Sequence, residues 1–153
     1  MNTRIALALS LLLVPAAQAA IEDDFNRCRA QVVRIGEDPR TPDETYCVGL
    51  SYQFAINRRR DSAKAVEWLR RAARQNHAPA QAVLGYMLEQ GIGTARDPAE
   101  AFQWYQRSAQ ANNEDGLVNL GRAYENGIGT PRDLARARSY YERAAAMGNR
   151  PAR

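Results

Sequence analysis

Few residues in this chain of 153 are of a type that carries chemistry, and their spacing restricts what they could do. The chain has two cysteines, Cys28 and Cys47, one histidine, His77, and a serine, Ser51, in the stretch Gly49-Leu-Ser51-Tyr-Gln53. A nucleophile elbow needs a second glycine two residues after its serine, and Gln53 stands there instead. A zinc site needs several Cys or His ligands at short spacing, but there is no Cys-x-x-Cys and no second His. Gly91-x-Gly93 and Gly127-x-Gly129 lack the strand that precedes a dinucleotide loop and the Gly-Lys of a phosphate loop. No set of residues reads as catalytic, and neither a metal nor a cofactor is expected.

The cysteines have to be read with the start of the chain. MNTR, the apolar run IALALSLLLVPA and then Ala17-Gln-Ala19 form a positive n-region, an h-region and a small-x-small cleavage site. Residues 1–19 are therefore expected to be a signal peptide cut after Ala19, since the run is too short for a spanning helix. No Cys sits at the cleavage site, so no lipid anchor is indicated. Export to the periplasm would place Cys28 and Cys47 in an oxidising compartment, which favours a bridge between them over two inert thiols. In the chain-entropy model, closing that loop of roughly 20 residues adds about 3 kcal/mol.

The formal net charge is +4, and of 21 basic residues only Lys64 is a lysine. Basic chains can neutralise phosphates, but an exported protein rarely meets nucleic acid, so none is expected as a partner. Arg58, Arg59 and Arg60 read as a solvated loop, with an anionic surface as the rival occupant.

The elements that hold these residues show in a repeat. EQGIGTARDPAEAFQWYQRSA at 89–109 and ENGIGTPRDLARARSYYERAA at 125–145 agree at 12 of 21 positions, offset by 36. A degraded third copy lies 36 residues upstream. It aligns Asp61 with Asp97 and Asp133, Trp68 with Trp104 and Tyr140, and Gly49 with Gly85 and Gly121. A fixed period of this length means stacked units that cannot bury their apolar faces alone. Ala80, Leu84 and Leu88 form an amphipathic stripe with Gly85 as a close-approach point, and Gly91 caps its end. Asp97 then starts a second helix as N-cap, with Pro98 at the first helical position and Glu100 completing a capping-box pattern. Ala101, Tyr105 and Ala109 share its stripe, with Trp104 beside it. In the first copy Ala55 and Asn57 replace the two loop glycines. Alanine adopts a left-handed backbone poorly, so that connection is expected to differ in shape or to extend its helix.

Leu84, Gly85, Gly91, Ile92, Gly93, Asp97, Ala101, Trp104, Tyr105 and Ala109 recur as Leu120, Gly121, Gly127, Ile128, Gly129, Asp133, Ala137, Tyr140, Tyr141 and Ala145. On these residues the chain resembles the Sel1-like repeat family, a relative of the tetratricopeptide repeat. The resemblance implies an all-α fold: a right-handed α-solenoid of helix-turn-helix units with a 36-residue period and about seven helices. A capping helix is expected within 20–41, where Phe25, Cys28, Val32 and Ile35 share a stripe, followed by repeats over 42–77, 78–113 and 114–149. Arg138, where Val66 and Phe102 stand in the other copies, reads as the polar face of a terminal repeat. The aromatic stripe of Trp68, Trp104, Tyr105, Tyr140 and Tyr141 reads as core, and His77 as a turn residue between copies.

Relatives of this repeat line a groove with the first helices of successive units. About 100° per residue then places Ala82, Tyr86 and Glu89 on a face apart from the core stripe. The same positions are Tyr46, Leu50 and Gln53 in the first copy and Val118, Arg122 and Glu125 in the third. These nine are the candidate site; with so small a groove, a protein or peptide is the expected partner and the chain is expected to be a monomer. Members of the family typically serve as adaptors and assembly factors. Rival readings are an immunity protein that neutralises a toxic secreted effector, and a binder of cell wall or membrane surface. A third rival is a β-lactamase-like hydrolase, as described for cysteine-rich relatives with a disulfide in nearly every repeat. Here neither cysteine recurs at 36, so an enzyme is not expected.

Overall fold

Helices in this chain begin where a side chain can take up a free backbone N–H. Asp61, Asp97 and Asp133 each accept from the backbone N–H three residues on, at 3.0, 2.9 and 3.0 Å. His77 and Asn113 do the same for the first helices of the second and third repeats, at 3.2 and 3.0 Å. His77, expected to be a turn residue, is thus an N-cap.

The protein is described by a computed structural model over residues 26–36, 38–56 and 59–148. These hold seven helices and no strand: α1 over 26–35, α2 Pro42–Gln53, α3 Ser62–Arg74, α4 Ala78–Gln90, α5 Pro98–Gln110, α6 Glu114–Asn126 and α7 Leu134–Gly148. The expected signal peptide lies outside the described residues. So does Phe25 of the α1 stripe, while Cys28 and Val32 are buried.

Two starting signals differ from expectation. Glu100 does not return to the Asp97 backbone; its carboxylate is drawn to Arg70 of α3, the second helix of the preceding repeat, and accepts from the Trp104 indole N–H at 3.0 Å. Half the expected capping box is therefore absent, because an ion pair between repeats competes for the glutamate. A complete box stands instead at α2, where Thr41 accepts from Glu44 N–H and Glu44 accepts from Thr41 N–H.

Gly91 and Gly127 end α4 and α6 in the left-handed conformation, at φ +69° and +71°. The next residue donates back into the helix, Ile92 to Met87 and Ile128 to Ala123, each at 2.9 Å. The first connection begins in the same way. Ala55 sits at φ +57°, and Ile56 donates to Ser51 at the same 2.9 Å. As far as Ile56 the expected change of shape does not occur, at the expense of strain in alanine, and the buried Ile56 and the Asp61 N–H bonded to Tyr52 fix the two described ends of the connection; Asn57 lies outside the described residues.

Within each repeat the two helices approach through a glycine. A Cβ at Gly85 would lie 2.6 Å from the Tyr105 ring, and one at Gly121 would lie 2.8 Å from that of Tyr141. Second helices pack on the following first helix, and the first helices α4 and α6 also touch. The core runs continuously from Cys28 and Val32 through Leu69, Leu84 and Tyr105 to Leu120 and Ala144. At the α5–α6–α7 junction, Phe102 meets Tyr124 edge-on at 5.4 Å, and Tyr124 stacks on Tyr140 at 5.8 Å.

Candidate functional site

The nine positions expected on one open face separate into a buried set and an accessible set. Tyr46, Leu50, Ala82 and Glu89 are buried, whereas Tyr86 is 47% and Val118 41% exposed. Glu125 is exposed, and Gln53 and Arg122 are half-buried. The expectation that Tyr46, Leu50, Ala82 and Glu89 line an open groove is therefore corrected. A first helix is covered on two sides, by its own second helix and by the neighbouring unit, and a single helical stripe accounts for only one of them.

Glu89 illustrates the second cover. Its carboxylate, 5% exposed, accepts from the buried Tyr105 hydroxyl at 2.6 Å. Arg122, on the next first helix, closes a two-pronged pair with it, Nη1 to Oε1 and Nη2 to Oε2 at 2.7 Å each. Gln90 adds a bond to Oε1 at 3.0 Å, and Arg122 Nη2 lies 3.5 Å from the Tyr105 oxygen. Burial pushes the Glu89 carboxyl up, but the hydrogen bonds from Arg122 and Tyr105 outweigh it and hold its pKa below the usual range. Burial and the adjacent carboxylate push the Tyr105 phenol well up, so it stays a donor at any physiological pH.

One repeat later the same pair recurs, with the Tyr141 hydroxyl donating to Glu125 Oε2 at 2.7 Å. Burial and Glu125 push that phenol up to about 12. One repeat earlier the positions hold Gln53 and Leu69, and the buried Gln53 Oε1 has no hydrogen-bond partner. Tyr86 lies three residues before Glu89 and Val118 four before Arg122, so both sit about one helical turn from the ion pair. An accessible aromatic and an accessible aliphatic side chain thus flank a fixed charge cluster.

The opposite layer carries a second pattern. Arg71, Arg107 and Arg143 stand over the rings of Trp68, Trp104 and Tyr140, at 5.4, 4.8 and 5.5 Å from the centroids. Trp104 and Tyr105 are buried as expected of core, while Trp68, Tyr140 and Tyr141 are half-buried and cover the layer's edge. A shallow hollow on α3 is lined by Glu67, Arg70, Arg71, Arg74 and Gln75. Acidic side chains outnumber basic ones on the first helices, by two on α2, one on α4 and two on α6. On the second helices basic residues lead by three on α3, balance on α5 and lead by two on α7. The two layers are oppositely charged.

Residues that drew attention as reactive have structural roles. Cys28 and Cys47 form a disulfide with Cα atoms 4.7 Å apart, fastening α1 to α2. The buried Ser51 hydroxyl donates to Val48 O at 2.6 Å. His77 packs against Tyr46 with its ring tilted by 36°, 4.8 Å between ring centres, and its Nε2 lies 3.4 Å from Asp43, which Arg27 also engages. Among the described residues no group of three His, Cys, Asp or Glu side chains could hold a metal ion. Neither the Glu89–Tyr105–Arg122 cluster nor the aromatic–arginine row was recognised in the sequence, although the Glu and Tyr members recur at 36.

A family model described as Sel1 repeat matches residues 46–77, 78–113 and 115–149. Among solved structures, a protective antigen present in uropathogenic Escherichia coli strains, displaying an SLR fold, is 35% identical over 71% of this chain, with a TM-score of 0.68. A Sel1 repeat protein from Oxalobacter formigenes is 32% identical over 71% of the chain, with a TM-score of 0.64. The matched parts are 23% and 32% of those two chains, so this protein spans about a quarter to a third of their length. Cysteine rich protein B of Helicobacter pylori, 22% identical with a TM-score of 0.60, shares the fold over 86% of this chain and 88% of its own. No curated protein matches the chain.

Proposed function

Since the chain belongs to the Sel1 repeat family, whose members are generally protein-interaction modules, we propose that it is an exported, monomeric adaptor holding one protein partner on its first-helix face. The observation that carries this reading is the pairing of Tyr86 and Val118, large apolar side chains left exposed on adjacent first helices beside a fixed ion cluster. Tyr and Arg are enriched in partner hot spots, which makes Tyr86 the main anchor and Val118 its apolar surround. The leader-like start and the disulfide support export to an oxidising compartment.

A photo-crosslinking residue placed at 86 or 118 should capture one discrete partner in cells, whereas the same residue at Glu67 or Gln103 on the second helices should not. Replacing Tyr86 by Ala and Val118 by Ser together should remove capture with unchanged melting. Equal capture from both layers would refute the assignment.

A second reading has its own observation, the basic excess and arginine row of the second helices. Contact with an anionic cell-wall or membrane surface through that layer would weaken sharply with salt. Binding to anionic vesicles that Arg71→Gln, Arg107→Gln and Arg143→Gln together abolish would support it; binding that survives those changes would exclude this layer.

A further inference from the structure

The Glu125–Tyr141 pair repeats, in the third unit, a cluster that elsewhere in the same molecule is complete. The close approach of Gly85 to Tyr105 is matched by that of Gly121 to Tyr141. The Tyr–Glu bonds measure 2.6 and 2.7 Å. Arg96 donates through Nε to the Glu89 backbone carbonyl at 2.9 Å, and Arg132 donates to that of Glu125 at the same 2.9 Å. Backbone, phenol and loop arginine are thus in equivalent places, which puts the Glu125 carboxylate where that of Glu89 lies in its own repeat.

What differs is the third member. At Glu89 it is a guanidinium from the adjoining helix, seated on both carboxylate oxygens. Among the described residues the Glu125 carboxylate accepts only from Tyr141; Arg132 is committed to the backbone, and Asn126 donates to Arg122 O instead. The first unit shows that the three members change together. Where Gln53 and Leu69 replace the carboxylate and phenol, the third position is Tyr86, not an arginine.

We propose that Glu125 and Tyr141 form a receptor for an arginine side chain presented by the protein partner, completing there the cluster that Arg122 completes around Glu89 and Tyr105. The proposal rests on the first-helix face being the partner surface and adds the chemistry of one contact. Arginine is selected over lysine because two coplanar carboxylate oxygens with a phenol oxygen at their side match a planar fork and not a point charge. Arg138, in the position of Phe102, replaces the aromatic that Phe102 places against Tyr124, so the chemistry offered on this side of α7 is polar.

The test uses the full chain with labelled Glu Cδ and Tyr Cζ carbons, titrated with Nα-acetyl-arginine amide and, separately, with the lysine analogue. The expected result is a saturable shift of the Glu125 and Tyr141 signals, at least fivefold weaker for the lysine analogue. Tyr105 should stay unmoved. Glu125→Gln should abolish the Tyr141 shift, and Tyr141→Phe should weaken the Glu125 shift severalfold, both with unchanged melting. Equal response to the two amides, or a response that survives Glu125→Gln, would overturn the receptor. If replacing Arg150 and Arg153 by Gln tightens the arginine amide fivefold, the occupant is the chain's own tail and the partner assignment falls. Arginine selectivity with no cross-linking at 86 or 118 would uphold the receptor and remove the first-helix reading, while the converse removes the receptor alone.

Discussion

Arg122→Met should be among the more damaging substitutions outside the apolar core, although arginine is ordinarily a surface residue. Removing the guanidinium leaves the Glu89 carboxylate, 5% exposed, with only the Tyr105 hydroxyl and the Gln90 amide. Breaking a buried ion pair from one side costs about 3–5 kcal/mol. The Arg122 side chain is 31% exposed, so water takes over part of its role and the expected loss is about 2–3 kcal/mol. Glu89→Gln keeps a neutral acceptor for Tyr105 and leaves Arg122 able to reach solvent, so it should cost about 1 kcal/mol. The double variant should be less damaged than the sum, by about 1–2 kcal/mol.

The pH dependence separates this account from simple loss of packing. In the native protein the Glu89 pKa lies below its unfolded value. Its contribution is therefore fully present above that unfolded value, about 4.3, and is lost as pH falls through the folded pKa. Without Arg122 burial dominates and the folded pKa rises above the unfolded one. The sign reverses, and stability is then lost as pH rises through the raised pKa. Urea unfolding followed by circular dichroism should show a deficit for Arg122→Met that is largest at neutral pH, begins to shrink as pH falls through the variant's raised pKa, and shrinks further as pH falls through the lowered native one. A deficit under about 0.5 kcal/mol at neutral pH, or one that does not change on acidification, would refute the reasoning.

Ala55→Gly should stabilise the protein by about 0.5–1 kcal/mol, because relief of the left-handed alanine exceeds the added freedom of the unfolded chain; thermal melting should rise by about 2–4 °C. Gly127→Ala and Gly129→Ala impose similar backbone strain but differ in space. An added Cβ meets nothing nearer than 3.4 Å at Gly127, yet would lie 2.1 Å from Pro98 O at Gly129. The first should cost about 1 kcal/mol and the second several times more, read by urea midpoint. Replacing Cys28 and Cys47 by Ser should lower stability by about 3 kcal/mol, with amide exchange accelerated most in α1 and α2, the helices the bridge joins.

The scaffold was legible in the sequence because its determinants are local and recur. Asp61, Asp97 and Asp133 cap helices through bonds three residues away, and Gly91 and Gly127 stop them within one turn. The cysteine pair was legible from the leader-like start, which implied an oxidising compartment. The face of the stack was not. Glu89 reads as a solvent residue on its own helix, and its burial depends on Tyr105, 16 residues on, and Arg122, 33 residues on. The recurrence of Glu and Tyr as Glu89 with Tyr105 and Glu125 with Tyr141 was available as a signal, since a carboxylate and a phenol that repeat together point to a contact. Glu100 misled for a related reason, because the sequence shows its local use as a cap and not the competing Arg70 from the previous repeat.

Each junction in the stack is closed by different chemistry on the same backbone. The first has a disulfide, Asp43 shared by Arg27 and His77, and the neutral residues Gln53 and Leu69 at the positions of Glu89 and Tyr105. The second has the ion cluster, and at the third the carboxylate and phenol stand without a guanidinium among the described residues. Interactions that served only stability would need no such variety, since apolar replacements of a buried ion pair are often neutral or better. An ion cluster instead fixes register, because Arg122 can seat on both oxygens of Glu89 only when α4 and α6 are aligned to within the length of a hydrogen bond. That alignment sets the spacing between Tyr86 and Val118. The Arg122→Met variant should accordingly lose partner affinity more steeply than its stability loss alone explains, at temperatures where it remains fully folded. Affinity that follows only the folded fraction would leave the cluster a stabilising contact without influence on the face beside it.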